Sequence, residues 1–314
     1  MPYFSVIIPL YNKENNIAET IESVLLQSFQ DFEIIIVNDG STDNSESKVL
    51  SLLNDKIRYF KTENRGVSQA RNFAIEKSEG KVLAFLDADD YWYVNHLEHL
   101  KLLYEKFPEA GLLATNYEFY FSEKRIIKPT FLGISSDFDR GIVEDFFHSS
   151  YEYRIAWTSA VAVPKDILQD IGNFDENITL GAGEDSDLWI RIAIKYPVAF
   201  INKVSARYKM DGVNRISHSN TLNRNFSKLD KFYLNEKANP SLKRFLDLYR
   251  TEYALKHKLA GDINNFLFYT KDISTQNLNL KTRILFSLPS WQLRWLYKFK
   301  KILGNLGIDL TVYH

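Results

Sequence analysis

The chain has 314 residues, 45% of them hydrophobic, and a formal net charge of −1. That length supports a full core and more than one domain's usual share, and near-neutrality excludes an overall field that would gather nucleic acid or coat an anionic surface. With no cysteine in the chain, a disulfide framework and thiolate zinc sites are excluded, and a reducing compartment fits.

The opening MPYFSVIIPLYN lacks a basic n-region and a long apolar h-region, so it is not expected to be a signal peptide. No apolar run approaches the roughly 20 residues a bilayer span needs. A cytoplasmic protein is the expectation.

FSVIIP (4–9) is a short β-branched run that predicts a buried strand. Ile17, Ile21, Val24 and Leu25 then recur at helical spacing. FEIIIVN (32–38) predicts a second strand. Asp43 followed by Glu46 resembles a capping box and predicts a helix through Val49, Leu50 and Leu53. IRYFK (57–61) predicts a third strand; Val67, Ala70, Phe73 and Ala74 mark the next helix, and KVLAFL (81–86) a fourth strand. Leu97, Leu100, Leu103, Tyr104 and Phe107 stripe a further helix.

Strand–helix alternation with continuously apolar strands predicts an α/β fold, a mostly parallel sheet with helices on both faces. In such sheets ligands bind beyond the carboxyl ends of the strands. Each predicted strand ends in a polar cluster: Tyr11 with Asn12, then NDGSTD, ENRG and DADD. One shared crevice is expected.

From 111 to about 208 the pattern is mixed. LLATNYEFYF reads as a strand, AWTSAVAVP as a strand ending before a helix at 165–171, and GAGEDSDLWIRIAIK as a loop leading into a helix. Beyond about 219 the chain is helical and rich in Lys, Leu, Tyr and Phe. The expected division is 1–216, with halves at about 1–110 and 111–216, followed by a helical region at 217–314.

Each polar cluster has a structural and a functional reading. In FLDADDYW, Asp87 and Asp89 would point the same way on an extended backbone. Two such carboxylates suit a hard divalent ion held partly by substrate phosphates, or else form a solvated acidic turn. Gly40 and Asp43 in VNDGSTD are accounted for by turn and capping chemistry. Asp39 is not, and it would sit at the carboxyl edge, able to accept a hydrogen bond. Gly66 precedes a helix whose N-terminus could attract phosphate, with Arg71 one turn in, or it is an ordinary loop glycine. GAGEDSDLW is not a dinucleotide fingerprint, because Ser186 stands where the third glycine belongs and no strand leads in. Its Glu184 and Asp185 suit a helix's first turn, and a carboxylate facing a crevice is also a candidate general base.

Together, SVIIPLYN, VNDGSTD, NRGVSQARN, FLDADD and GEDSDLW, in this order, resemble the inverting, GT-A-fold glycosyltransferases of family 2. The resemblance runs from about Ser5 to Trp189. It implies a Rossmann-like sheet flanked by helices, with a nucleotide-sugar half at 1–110 and an acceptor half at 111–216. It also implies a nucleotide-diphosphate-sugar donor, most often a UDP-sugar. Pro9, Tyr11 and Asn12 would line the nucleotide pocket, Asp39 would accept from the base, and Arg71 would lie by the nucleotide and diphosphate. Asp87 and Asp89 would match the DXD motif that holds Mg²⁺ or Mn²⁺ on the diphosphate, with Asp90 sharing that role. Asp185 would be the catalytic base. Members often carry a Tyr-Arg-x-His pattern whose His joins the metal. Here Asp211 stands at that place, either as a substitute oxygen ligand or with that ligand lost, and Lys209 and Arg215 are candidates to face the diphosphate instead.

The acceptor implied is a glycan or lipid-linked glycan, as in cell-surface polysaccharide synthesis, with no nucleic-acid partner. A sugar-nucleotidyltransferase is the first alternative, weakened because PLYNKENN replaces a Gly/Arg-rich triphosphate loop. A non-catalytic sugar-nucleotide binder is the second. In SWQLRWLYKFKKIL (290–303), Trp291, Trp295, Leu296, Phe299, Ile302 and Leu303 share one helical stripe, with Arg294, Lys298 and Lys301 off it. Such a helix either lies on an anionic membrane surface or packs on the protein with its lysines solvated.

Overall fold

The computed structural model describes residues 1–210 and 219–305, side chains of 301–305 excepted. The chain divides into two compact units, Met1–Ser219 and Asn220–His314.

The first unit alternates strands and helices: β1 (Phe4–Leu10), α1 (Ile17–Leu25), β2 (Phe32–Asp39), α2 (Ser45–Leu50), β3 (Ile57–Thr62), α3 (Val67–Lys77) and β4 (Val82–Phe85). It continues with β5 (Tyr91–Trp92), α4 (His96–Lys106), β6 (Leu112–Ser122), β7 (Arg125–Ile127), β8 (Arg140–Ile142) and α5 (Phe146–Ser149). β9 (Val161–Pro164), α6 (Lys165–Ile171), α7 (Glu184–Lys195) and β10 (Val198–Lys209) complete it. One sheet runs in the order β3-β2-β1-β4-β9-β6-β10-β5, with β7 beside β6 and β8 beside β10. Val6 to Ile8, Ile34 to Val37 and Val82 to Phe85 are fully buried, which is why these strands read as unbroken apolar runs.

β1 to β4 are mutually parallel, with Phe4 opposite both Phe32 and Val82 and Ile34 opposite Ile57. β6 and β10 form a second parallel pair. Between the two blocks β9 runs antiparallel to both β4 and β6, so the sheet is mixed. The consequence is positional. The start of β9, not its end, lies at the carboxyl edge of β4, and the carboxyl ends of β6 and β10 lie at that same edge.

Two local expectations change. In AWTSAVAVP only Val161–Pro164 is strand; Thr158–Ala160 forms a 3₁₀ turn, its first amide cap reaching Trp157 O from Ala160 N at 2.8 Å. Helix α2 starts at Ser45 rather than just after Asp43 and stops at Leu50. Asp43 instead accepts from Ser45 N and Glu14 N, and Glu46 pairs with Lys61 at 2.6 Å. The capping-box partners are thus both engaged by other segments, which outcompetes the local motif.

The second unit is helical: α8 (Tyr233–Ala238), α9 (Pro240–Ala260), α10 (Ile263–Thr270), α11 (Leu280–Ser287) and α12 (Ser290–Asn305). Asn239 caps α9 by accepting from Leu242 N at 2.9 Å, with Pro240 in the first turn, and Gly261 closes the helix at φ +85°. Buried Arg250 forks onto Glu236 at 2.6 and 3.0 Å. Among the described residues no helix is long and apolar enough to cross a membrane.

Candidate active site at the carboxyl edge of the sheet

The loop after β1 is locked to the loop after β2. Asn12 takes φ +51°, a left-handed conformation that Asn tolerates better than most residues. Its amide donates to Ser41 Oγ at 3.0 Å, and its side-chain oxygen accepts from Thr42 N at 2.8 Å. Lys13 N donates to Ser45 Oγ at 2.8 Å, and Glu14 N to Asp43 at 3.0 Å. The result is a stiff ledge with Tyr11 38% exposed and Pro9 partly covered.

Asp39 ends β2, almost fully buried. Its two oxygens accept from Arg65 N at 2.8 Å and Gly66 N at 2.9 Å. It therefore pins the loop that enters α3, and each oxygen keeps a second lone pair. It also lines a cleft of about 590 Å³ with Thr62, Arg65, Gln69 and Phe73.

After β4, Asp90 N donates back to Asp87 O at 3.0 Å, closing a turn that Thr20 Oγ1 braces from α1 through Asp90 O at 2.7 Å. Asp87 and Asp89 are half-exposed on this turn, while Ala88 and Asp90 are buried. A turn rather than an extended backbone brings the two acids to one side. Asp89 Oδ2 lies 2.6 Å from Lys13 Nζ. Asp87 Oδ1 lies 2.7 Å from Arg71 Nη2.

Arg71 is 3% exposed. Its other nitrogen lies 3.5 Å from Glu184 Oε1, and its plane sits 5.1 Å from the Phe174 ring centroid. The guanidinium is thus committed to carboxylates beneath the crevice rather than opening onto it. Burial opposes its charge, yet Asp87, Glu184 and Asp185 together hold it more firmly protonated than usual.

The same cluster shifts the acids. Burial, reinforced by Asp185 and opposed by Arg71, pushes Glu184 up to about 7. Burial also lifts Asp87 against the pull of Arg71, with Asp89 and Asp185 adding to the rise. Asp90 is raised well above its usual range by burial and then by Asp89 and Asp87. Its Oδ2 accepts from Ser159 Oγ at 2.6 Å, and its Oδ1 is buried without a partner. Asp90 is turned inward, away from the place expected for a metal ligand.

Asp185 stands in the first turn of α7, behind Gly183 at φ +100°. It is half-exposed, accepting from Ser186 N at 2.6 Å and Thr158 Oγ1 at 3.1 Å. Ser159, next to Thr158, ties the start of α7 to the turn after β4. Its Oγ accepts from Asp87 N at 3.0 Å, and its carbonyl accepts from Trp92 Nε1 at 2.6 Å.

Beyond Thr158 lies an aromatic wall. Trp157, half-buried, packs 4.8 Å from Tyr117 and 5.0 Å from Tyr208 by ring centroids. Phe119 continues it 5.7 Å from Tyr208 and 5.8 Å from Tyr153.

Lys13, Thr158, Ser159 and this wall were not singled out from the sequence. A lone lysine and a Thr-Ser pair inside an apolar run carry no readable signal, because it is the reversed β9 that brings the pair to the edge. Lys209 pairs with Glu19. Asp211 and Arg215 lie outside the described residues.

The fold has known counterparts. The crystal structure of Staphylococcus aureus TarS 1–349 in complex with UDP-GlcNAc superposes with a TM-score of 0.65 at 18% identity, covering 94% of this chain and 91% of that one. With this mixed, helix-flanked sheet the molecule has a GT-A fold. The chain belongs to glycosyl transferase family 2, whose model matches residues 5–169. An uncharacterized glycosyltransferase of Rickettsia felis is 32% identical over 280 residues, 88% of this chain and 43% of that protein. An Escherichia coli protein, the UDP-Glc:α-D-GlcNAc-diphosphoundecaprenol β-1,3-glucosyltransferase WfgD, is 40% identical over 95 residues, 30% of this chain and 38% of its own. The chain spans less than half the length of the rickettsial relatives matched over 43%, 29% and 33% of theirs.

Proposed function

We propose that the protein transfers a sugar from a nucleotide-diphosphate donor, a UDP-sugar, to an acceptor hydroxyl with inversion at the anomeric carbon. The observation that carries this reading is that buried Arg71 bridges Asp87 and Glu184, next to Asp185, while the neighbours Thr158 and Ser159 hold Asp185 and the Asp87 amide. UDP-sugars appear in the names of both the TarS complex and the E. coli relative, which supports the donor class.

Pro9, Tyr11 and Asn12 would form the nucleotide ledge. Asp39 would accept from the base with its spare lone pairs while holding the Arg65–Gly66 loop. The acidic turn would suit a hard divalent cation, with Asp87 and Asp89 as its oxygen ligands. Among the described residues no group of three or more His, Asp or Glu could hold a metal ion by itself. Two carboxylates completed by diphosphate oxygens is how Mg²⁺ usually binds. When bound there, Mg²⁺ or Mn²⁺ would neutralise charge on the departing diphosphate. Whether Asp211 adds a ligand belongs to the same proposal.

Arg71 acts from below. It holds Asp87 in place and keeps Glu184 from repelling it. Asp185 would take the proton of the acceptor hydroxyl as that oxygen bonds to the sugar's C1 and the C1–diphosphate bond breaks. One base suffices for a single displacement, whereas a retaining double displacement would need a nucleophile as well. Thr158 orients the Asp185 carboxylate. The wall of Trp157, Tyr208 and Phe119 offers apolar ring faces to the C–H faces of an acceptor pyranose. A glycan or lipid-linked glycan acceptor and a cytoplasmic location, where sugar nucleotides are available, complete the reading. Residues 1–216 would form the catalytic domain, its first half holding the donor and its second the acceptor.

The test is UDP binding and UDP-sugar hydrolysis or transfer with Mn²⁺ for wild type, Asp89→Ala and Asp185→Asn. Both variants should lose turnover by about a hundredfold or more, the range of a lost acid–base or charge-stabilising group. Asp185→Asn should keep UDP affinity and Asp89→Ala should lose its metal dependence. A fully active Asp185→Asn removes it as the base. Binding of UDP by both variants and wild type without any turnover favours a binder over an enzyme.

A further inference from the structure

The second unit carries a surface that sugar transfer does not use. In α12 the apolar stripe faces solvent. Trp291 is 65% exposed, Trp295 62%, Phe299 45% and Leu296 37%, whereas Leu293 is 5% exposed. The helix is docked on its Leu293 side, where Arg294 Nη1 also reaches Leu259 O of α9 at 3.3 Å. At 3.6 residues per turn, positions two away stand about 200° around the helix. Trp291 and Trp295 therefore lie opposite the docked side. Trp295 and Phe299, one turn apart, stack in parallel with ring centroids 5.6 Å apart.

The charge around the row has one sign. From Ile273 to Ile308 the chain holds Lys281, Arg283, Arg294, Lys298, Lys300 and Lys301 and not one Asp or Glu. Arg294 and Lys298 lie about 100–140° from Leu293, flanking the aromatic row. The neighbouring helices leave Leu267, Leu280 and Ile284 exposed as well. Patches of exposed large apolar residues mark interaction sites.

We infer that α12 lies in the plane of an anionic lipid surface, with Trp291, Trp295 and Phe299 in the headgroup–acyl boundary and the flanking cations on lipid phosphates. Indole and phenol rings favour that boundary because one part is apolar and another polar. Each Lys or Arg near an anionic surface adds attraction. A second copy of the chain fits the patch less well, because self-pairing would set six cations against six with no carboxylate between them. The overall charge of −1 hides this segregation, which is why composition alone argues against anionic surfaces.

Full-length protein is tested by co-flotation with vesicles of phosphatidylcholine alone and of phosphatidylcholine with phosphatidylglycerol. Binding should be about tenfold or more tighter to the anionic vesicles, with a blue shift in tryptophan emission. Raising salt from about 0.1 M to about 1 M shortens the screening length from about 10 Å to about 3 Å and should erase most of that preference. Trp291→Ser/Trp295→Ser/Phe299→Ser should abolish flotation with unchanged circular dichroism and UDP affinity. Arg294→Gln/Lys298→Gln should abolish only the anionic preference. Flotation that survives the aromatic triple variant overturns the inference. So does absence of flotation in wild type, above all if wild type sediments as an oligomer that the same triple variant makes monomeric. UDP binding reads the catalytic proposal independently, so either can fail alone.

Discussion

Glu184 shows how one residue can be legible in type and illegible in role. GEDSDLW announces two carboxylates at a helix start, and from the sequence both suit the helix dipole equally. Only the fold separates them: Asp185 reaches the crevice, while Glu184 is sealed against Arg71 at 3.5 Å with its second oxygen unpartnered. A buried acid raised from its ordinary 4.5 to about 7 binds more protons in the folded chain than in the unfolded one across that interval. Stability therefore falls as pH rises from about 4.5 to about 7. Glu184→Gln should flatten that slope in urea titrations of metal-free protein and leave the mutant relatively more stable above pH 7. Asp87 and Asp90 are shifted in the same direction, so the slope shrinks without vanishing. An unchanged slope would mean Glu184 is ionised throughout. The inward turn of Asp90 and the burial of Arg71 were equally unreadable, because motif spacing carries side-chain type and order but not which side of a turn is sealed.

At the scale of elements, the parallel β1–β4 block was legible because β1, β2 and β4 are buried on both faces and each strand of the block ends in polar residues. β9 was not. Four buried residues that reverse direction between two parallel blocks look like any other apolar run. The loops that hold the ledge rest on backbone geometry at Gly40, where φ is +74° and an added Cβ would stand 2.8 Å from Asn64 N. Gly40→Ala should cost about 1–2 kcal/mol for the left-handed conformation alone, and the contact with a backbone atom adds to it. Thermal unfolding should register the loss. UDP affinity should fall with it, since the displaced 63–66 loop is the one Asp39 anchors. A variant as stable as wild type would show that the loop yields freely.

For the molecule as a whole, nucleotide and metal should act as one ligand. Lys13 and Arg71 already neutralise Asp89 and Asp87 at 2.6 and 2.7 Å, so a lone cation meets carboxylates that are partly satisfied. A diphosphate supplies the oxygens that the protein lacks. UDP with Mn²⁺ should raise the melting temperature by more than UDP and Mn²⁺ separately, with about 2.7 kcal/mol of stabilisation expected at a hundredfold excess over Kd. Adding EDTA should remove the surplus. Strictly additive shifts would mean that the two bind independently.

Ser159 gives the fold a further property. A single hydroxyl joins the turn after β4 to the head of a strand that runs the other way, so catalytic alignment is written into strand pairing. Slipping the β4–β9 ladder by one residue would carry Thr158 and Ser159 about 3.3 Å along the sheet and turn them to its opposite face. The residues of the β6–β7 turn, 123 and 124, by contrast, lie outside that ladder, since β7 pairs with β6. Lengthening or trimming them can remodel what the crevice accepts while proton transfer stays in tune, which makes that stretch the natural place for recognition to diversify.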